Sequence, residues 1–366
     1  MLKYLIYNLF FVIFLLSGCI SLSSDETINC TKIKKGPKAL RVIKPHSFGK
    51  TDKLLLDIEN RDRSKAMVSL SYRRSGPEVD YDSGKEVPLS ASESIIGGLK
   101  IQGNSYVFTA TQQKDAQLIR LRNERGTIVG KGELPSSSYV QLIQDKYVLV
   151  IGDHTDAGLH GWWKVYHLRM VDSNLEFKAA LSGRGQVFTD GKLGLFYLRE
   201  DKTSSYLMYR DLSNNSRPVI LRKFSTKIID NITGISFGRR VVVAYHHGDG
   251  LEGTSSVIVE EYGVDAGLSN LLSRQRILLA DAEPFEMGLP AVGDDLYFLS
   301  SVWAGSTGRL ALLKKRQSKW IYLKIGRSLK KGSFLGSSFV IGSRLFFFLG
   351  EKQSSFHEFY FCSVSF

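Results

Sequence analysis

Seven strongly apolar runs punctuate the chain at near-regular intervals. They are Lys53–Ile58 (KLLLDI), Tyr106–Ala110 (YVFTA), Tyr147–Ile151 (YVLVI), Leu193–Leu198 (LGLFYL), Val241–Tyr245 (VVVAY), Leu296–Ser300 (LYFLS) and Leu345–Leu349 (LFFFL). Their starts lie 53, 41, 46, 48, 55 and 49 residues apart. Several follow a turn-forming pair, such as Asp190-Gly191, Gly238-Arg239, Gly293-Asp294 or Gly342-Ser343. Sustained helical periodicity is nearly absent. Short β-branched and aromatic runs bounded by Gly, Asp, Asn and Ser read as strands.

The residues around each run complete a repeat of four strands, a to d, with the apolar run as b. Candidates for c are Met67–Tyr72, Gln117–Arg122, Lys164–Met170, Tyr206–Arg210, Val257–Tyr262, Leu310–Lys314 and Glu358–Val364. Candidates for d include Thr127–Leu134, Arg217–Phe224, Arg274–Leu279 and Trp320–Ile325. Small, Gly-bearing candidates for a include Ile95–Ile101, Gly183–Phe188, Ile232–Phe237 and Gly332–Ile341. One four-stranded sheet per repeat of about 40–55 residues resembles the β-propeller architecture. The expectation is an all-β fold, a single seven-bladed β-propeller over 28–366, with six or eight blades as alternatives. A pair of β-sandwiches is the competing arrangement and leaves the even spacing unexplained. Strand b loses strict alternation because each blade packs between two others. The last repeat lacks a d strand, and Ile28–Lys34 is a spare strand that would complete it and close the ring. The chain shows no Trp-Asp blade ending, kelch pattern or Ser-x-Asp-x-Gly box, and architecture alone does not give function.

The first residues follow another logic. Lys3 is the only charge before Asp25, and Leu5–Leu16 is almost wholly apolar. This run is shorter than the roughly 20 residues needed to span a bilayer as a helix, and with Ser17-Gly18 after it reads as a secretory signal. Leu16-Ser17-Gly18-Cys19 resembles the lipobox of bacterial lipoproteins. The resemblance implies cleavage before Cys19, fatty acylation of that residue, a signal peptide over 1–18 and a tether over 19–27. Ile20, where inner-membrane lipoproteins carry Asp, implies an outer-membrane protein facing the periplasm. The alternatives are an ordinary cleaved signal or an uncleaved anchor. The chain carries 49 Lys and Arg against 36 Asp and Glu, a formal charge of +13. In that compartment the excess suits lipid headgroups, cell-wall polymers or an acidic protein rather than nucleic acid.

With Cys19 acylated, two of the three cysteines remain, Cys30 and Cys362. An oxidising compartment favours their pairing as a disulfide, worth about 4–5 kcal/mol for so long a loop. If Ile28–Lys34 pairs with Glu358–Val364, the two cysteines lie on adjacent antiparallel strands. The competing reading is two buried free thiols.

Three b–c loops are long and rich in His, Trp or Gly: Gly152–Trp163 (GDHTDAGLHGWW), His246–Ser256 (HHGDGLEGTSS) and Ser301–Gly308 (SVWAGSTG). Binding residues concentrate on such loops. The candidates are Asp153, His154, His160, Trp162, Trp163, His246, His247, Asp249 and Trp303, with Asp156 beside them. Trp162, Trp163 and Trp303 suit stacking on a sugar or filling a partner's pocket. The acids and imidazoles suit a divalent metal, although no ligand spacing supports one. Packing of the loops is the third reading. No Gly-x-Ser-x-Gly elbow and no phosphate-binding Gly-x-x-x-x-Gly-Lys loop occurs, and no cofactor is implied. The expectation is a membrane-tethered binding or scaffolding protein whose partner is a protein, as for an immunity lipoprotein, or an envelope polymer. The alternative is a hydrolase or lyase acting on an envelope saccharide at the channel mouth.

Overall fold

The computed structural model describes residues 28–32 and 40–365, apart from 48–52, 61–64, 72–84, 102–103, 124, 138, 144–145, 153–160, 173, 191–192, 214–215, 225–231, 249–254, 266, 280–282, 293–295, 305–306, 317–318, 331, 342–343 and 353–356. The lipobox and the segment before it lie outside the described residues. Among the described residues there are 28 strands and no helix. The first, β1 (Ile28–Lys32), belongs with the end of the chain. A four-stranded sheet follows: β2 (Leu40–Ser47), β3 (Lys53–Asn60), β4 (Lys65–Ser71) and β5 (Lys85–Leu89). Next come β6 (Glu93–Ile101), β7 (Asn104–Gln112), β8 (Ala116–Asn123) and β9 (Ile128–Pro135), then β10 (Tyr139–Ile143), β11 (Tyr147–Ile151), β12 (Trp162–Val171) and β13 (Asn174–Arg184).

These two sets form one eight-stranded sheet, because β13 and β9 pair in parallel at Asn174 and Lys131. Gly132 permits this approach: a Cβ there would lie 2.5 Å from the Leu175 carbonyl oxygen. Three further four-stranded sheets follow. The first holds β14 (Val187–Thr189), β15 (Gly194–Glu200), β16 (Ser205–Asp211) and β17 (Val219–Phe224). The second holds β18 (Ile232–Phe237), β19 (Arg240–Gly248), β20 (Ser255–Asp265) and β21 (Leu268–Leu279). The third holds β22 (Glu283–Val292), β23 (Leu296–Ala304), β24 (Thr307–Arg316) and β25 (Lys319–Lys330). The last sheet holds β26 (Phe334–Ile341), β27 (Arg344–Lys352), β28 (His357–Ser365) and then β1.

The expected b and c strands are present in this order. Several bounds shift by a few residues, and one expected strand is divided. Gly183–Phe188 is not a single strand: β13 continues to Arg184 and β14 begins at Val187. Gly185, with φ of 89°, makes the turn between them, a conformation that glycine adopts without steric cost.

Burial explains the apolar runs. Val241, Val242, Val243, Ala244 and Tyr245 are each no more than 2% exposed. Successive strand residues point to opposite faces, so five buried neighbours in sequence require cover on both sides of the sheet. Leu195-Phe196, Val148–Val150 and Leu345–Leu349 repeat the pattern. The core is accordingly a series of layers between sheets. One gathers Phe196, Leu207, Val241, Val243 and Ile258 from two sheets; another gathers Leu310, Leu312, Leu345, Phe347 and Val364 from two others. The first strands lie beside one another: β2 beside β6 and β26, β6 beside β10, β14 beside β18, β18 beside β22, and β22 beside β26.

Charged side chains cross these layers in a way the strand period dictates. Glu260 and Glu261 are adjacent in β20 and both buried. Pleating sends them to opposite faces, and each meets a different neighbouring sheet. Glu260 accepts from Arg222 of β17, which comes from the preceding sheet, and from Tyr262 Oη at 2.6 Å. Glu261 accepts from Lys315 Nζ of β24 at 2.7 Å and Trp320 Nε1 of β25 at 3.2 Å, from the following sheet. Burial, and then the neighbouring Glu260, push the Tyr262 hydroxyl far above the usual phenol range, so it stays a donor to the carboxylate.

Glu93 at the start of β6 is a third buried acid. Arg122 grips it with two bonds, Nε to Oε1 at 2.9 Å and an NH2 to Oε2 at 3.0 Å, and Lys65 Nζ of the preceding sheet reaches its backbone oxygen at 3.2 Å. Burial works against the Glu93 anion, but hydrogen bonds from Thr109 and Arg122 and the nearby Arg120 charge outweigh it, holding the carboxyl below its ordinary range.

The chain ends meet as the cysteine count anticipated. β1 runs antiparallel to β28 with Cys30 opposite Cys362, and the pair is bonded across a Cα–Cα distance of 4.1 Å. That is close to the roughly 4.5 Å of a non-hydrogen-bonded antiparallel pair. Ile28 and Cys30 pack against the layer holding Leu345, Phe347 and Val364.

Two outcomes follow from these contacts. Reduction, or the double substitution Cys30→Ser with Cys362→Ser, should lower unfolding stability by about 2–5 kcal/mol, read as a fall in denaturation midpoint. A shift smaller than experimental error would show that β1 is held without the bond. For Glu93, the native state binds fewer protons than the unfolded chain. Its stabilisation is therefore present above the ordinary carboxylate range and lost as pH falls through the lowered value. Glu93→Gln should cost about 1–3 kcal/mol at neutral pH and flatten the loss of stability on acidification; an unchanged acid profile would refute this.

Candidate functional site

Each sheet has two distinct ends. At one, the a–b and c–d connections turn: Phe237 pairs with Arg240, Asp265 with Leu268, Val171 with Asn174. At the other, b leaves and c returns. The register places the described candidates at this second end. Trp163 pairs with Ile151, and Trp162 with Arg184. His246 pairs with Val257 and His247 with Ser256. Trp303 pairs with Glu283 on one side and Gly308 on the other. All five were expected in loops but lie within strands: Trp162 and Trp163 open β12, the His pair ends β19, and Trp303 lies in β23. The ladder extends further than the apolar runs because small and polar partners, Ser255, Ser256 and Gly308, continue the pairing. Asp153, His154, Asp156, His160 and Asp249 lie outside the described residues.

The two adjacent tryptophans have different surroundings. Trp163 is 3% exposed and packs among Ile143, Leu149, Val165, Leu195 and Leu212. Its ring lies 5.1 Å from that of Tyr197 and directly on Gly183, where a Cβ would come within 2.2 Å of it. Trp163 is thus a layer residue joining two sheets. Trp162, on the opposite face, is only half-buried. Its ring rests on Gly152, where a Cβ would fall 1.9 Å away, and Lys164 Nζ stands 5.4 Å from its centroid, within cation–π range. Backbone bonds fix this corner: Gly152 N donates to Trp162 O at 2.9 Å and Gly185 N to Gly161 O at 3.0 Å. Gly152 and Gly161 are therefore anchored where the chain leaves β11 and approaches β12.

The other histidine near this sequence, His167, belongs to the opposite end of β12. Its ring meets Tyr147 edge-on at 5.2 Å. Burial, and then Arg169, Lys146 and Lys178, hold its pKa below the ordinary value, so it is neutral at physiological pH. Among the described residues, no group of three or more His, Cys, Asp or Glu is gathered as for a metal ion. The buried acids Glu93, Glu260 and Glu261 are committed to Arg, Lys, Tyr and Trp partners. Sequence spacing did not single them out, although a Glu pair inside VIVEEYG was a visible interruption of an apolar strand.

The two glycines should respond differently to a methyl group. Gly183→Ala forces a buried ring to move and should cost about 1–3 kcal/mol through overpacking. Gly152→Ala should shift Trp162 emission with a smaller loss of stability, since that ring can swing outward. Denaturation followed by tryptophan fluorescence reads both; equal losses would contradict the assigned burial.

No family model matches the chain, and no curated protein does. Solved structures do. A chain of Saccharomyces cerevisiae core factor matches at 10% identity and a TM-score of 0.52, covering 96% of this chain and 63% of that one. Prolyl oligopeptidase B of Galerina marginata matches at 10% identity and a TM-score of 0.52, over 89% of this chain and 47% of that one. The WD40 domain of SCAP from fission yeast matches at 11% identity and a TM-score of 0.40, over 92% and 98% of the two chains. At such identities the likeness is one of fold: a propeller-like all-β architecture.

Proposed function

We propose that this protein is a lipid-anchored component of a bacterial envelope, built as a closed seven-bladed propeller, that binds a protein or an envelope polymer at its b–c end. Dividing the eight-stranded sheet at its single β9–β13 residue pair leaves seven sets of four strands, in agreement with the seven runs in the sequence. Closure is supported by β1 completing the β26–β28 sheet and by β2 touching both β6 and β26. The anchor is Cys19, on the strength of its lipobox. A disulfide between Cys30 and Cys362 suits the oxidising periplasm.

The observation that carries the binding reading is the common placement of Trp162, His246-His247 and Trp303 at one end of three sheets. Trp162 is a half-buried aromatic seated on Gly152 and against the layer that holds Val148 and Tyr166, and a tryptophan on a rim is the kind of side chain that serves as a binding anchor. The opposite end carries none of these four.

The test compares lipidated protein recovered from detergent-solubilised envelopes with the variant Trp162→Ala/His246→Ala/His247→Ala. A specific envelope component should be retained by the native chain and by Lys178→Ala on the outer strand β13, and fall roughly ten-fold with the triple variant. Equal retention by all three would overturn the assignment of this end. The mass of the N-terminal peptide checks the lipid on Cys19 independently.

A further inference from the structure

Seven large apolar side chains are exposed among the described residues, and six of them, Met170, Val171, Ile220, Leu268, Leu271 and Leu272, lie toward the turn ends of three consecutive repeats. Met170 and Val171 close β12 before the turn to β13, Ile220 stands at the start of β17, and the three leucines occupy the first half of β21. Leu268 is 75% exposed. A bulge between Glu261 and Tyr262 leaves Leu272 without its own partner and Leu271 beside it, both exposed. Hydrogen bonds gather these ends together. Tyr147 Oη donates to Leu212 O at 2.9 Å, Ser236 N to Asp190 Oδ2 at 3.0 Å, and Ser269 Oγ to Ile220 O at 2.5 Å.

The chain enters its fold at the same end. Ile28 pairs with Val364, Val364 with Leu345, and Arg344, the residue before it, pairs across the turn with Ile341. Ile28 stands nine positions after Cys19, a span that reaches about 30 Å when extended. A membrane holding the N-terminal segment can therefore meet the turn side of the sheets without the chain crossing the fold. Exposed Lys146, Arg169, Arg217, Arg239 and Arg240 lie there against exposed Asp172, Glu176 and Asp265. With Arg169 opposite Glu176 and Arg239 3.5 Å from Asp265, Lys146, Arg217 and Arg240 outnumber the remaining Asp172, a balance that favours anionic headgroups.

From this coincidence we infer that the turn face of the β10–β21 region rests on an anionic lipid surface, with Leu268, Leu271, Leu272 and Ile220 inserted among the headgroups. The b–c end then points away from the bilayer. Apolar side chains ringed by arginines have the composition of an interfacial contact. A tether alone leaves orientation free; this second contact fixes it. The inference rests on the envelope reading above, but it needs only that residues before Ile28 hold the chain at a bilayer, by lipid or by an uncleaved apolar segment.

The experiment places a fluorophore on the full chain in vesicles of phosphatidylethanolamine and phosphatidylglycerol (3:1) that carry headgroup-level spin labels. One probe is attached in Leu268→Cys, the other in Lys114→Cys on the b–c turn of the β6–β9 region. Quenching at 268 should exceed that at 114 by roughly three-fold or more, and should fall when Ile220→Ser, Leu271→Ser and Leu272→Ser are combined. A chain that fails to float with vesicles, equal quenching of the two probes, or shielding at 268 that persists without vesicles as a second copy would give, each overturns the inference. The mass of the Cys19 peptide reports lipidation separately, so a non-lipidated chain whose 268 probe is quenched sinks the anchor and leaves the docking face standing.

Discussion

The structure depends on strands that are buried on both faces. A sheet whose second strand reads VVVAY or LFFFL has no side that tolerates water. It must lie between two others, and each of those has the same need. A linear stack would leave two bare faces at its ends, whereas a stack that returns on itself leaves none. The placement of β2 against both β6 and β26 accords with the proposed return. The strand contributed from the other end of the chain accords with it too, because a three-stranded last sheet would leave Phe361, Cys362 and Val364 of β28 at an open edge; β1 pairs with them.

Polar contacts refine what the apolar layers begin. Glu260 and Glu261 show how. Adjacent carboxylates in one buried strand are costly unless each is paired, and the pleat makes it impossible for both to share a partner. The preceding sheet supplies Arg222 and the following one supplies Lys315 with Trp320. A slipped or inverted following sheet would leave Glu261 without its cation, and a misplaced preceding one would leave Glu260 only Arg274 of its own sheet, 3.3 Å away, so these pairs select the order and register of sheets more than they add to stability. The cystine acts on a different link of the chain, limiting the unfolded ensemble by tying residues 332 positions apart.

Much of this was legible in the sequence for a physical reason. The b strands announce themselves because burial on both faces removes polar residues from consecutive positions, and the terminal cysteines became readable once a strand was seen to be missing beside Glu358–Val364. Other features depend on atoms that spacing does not encode. The β9–β13 join rests on one backbone pair permitted by Gly132, and the β13–β14 boundary rests on the positive φ of Gly185. Trp162 and Trp163 are indistinguishable as letters. Only the pleat, with Gly152 beneath one and Gly183 beneath the other, makes one a half-buried ring on the rim and the other a side chain of the core. The candidate site is harder to read than the fold because its members lie on sheets separated by whole repeats, so no local motif records them.

The same logic explains why about 10% identity to other propeller-like structures accompanies coverage of most of the chain. A layer between sheets asks for apolar volume on both faces and turns of the right length; many sequences satisfy that. What it leaves free is the composition of the two ends of every sheet, and in this chain those ends have diverged from each other. The b–c end carries glycines that seat an aromatic ring and strands prolonged by His-His and Trp. The turn end carries leucines in water, which stability does not ask for and solubility penalises. Packing does not account for those leucines. Two ends unlike each other, on a scaffold indifferent to both, are what a molecule needs when one end must hold a surface and the other must meet something else.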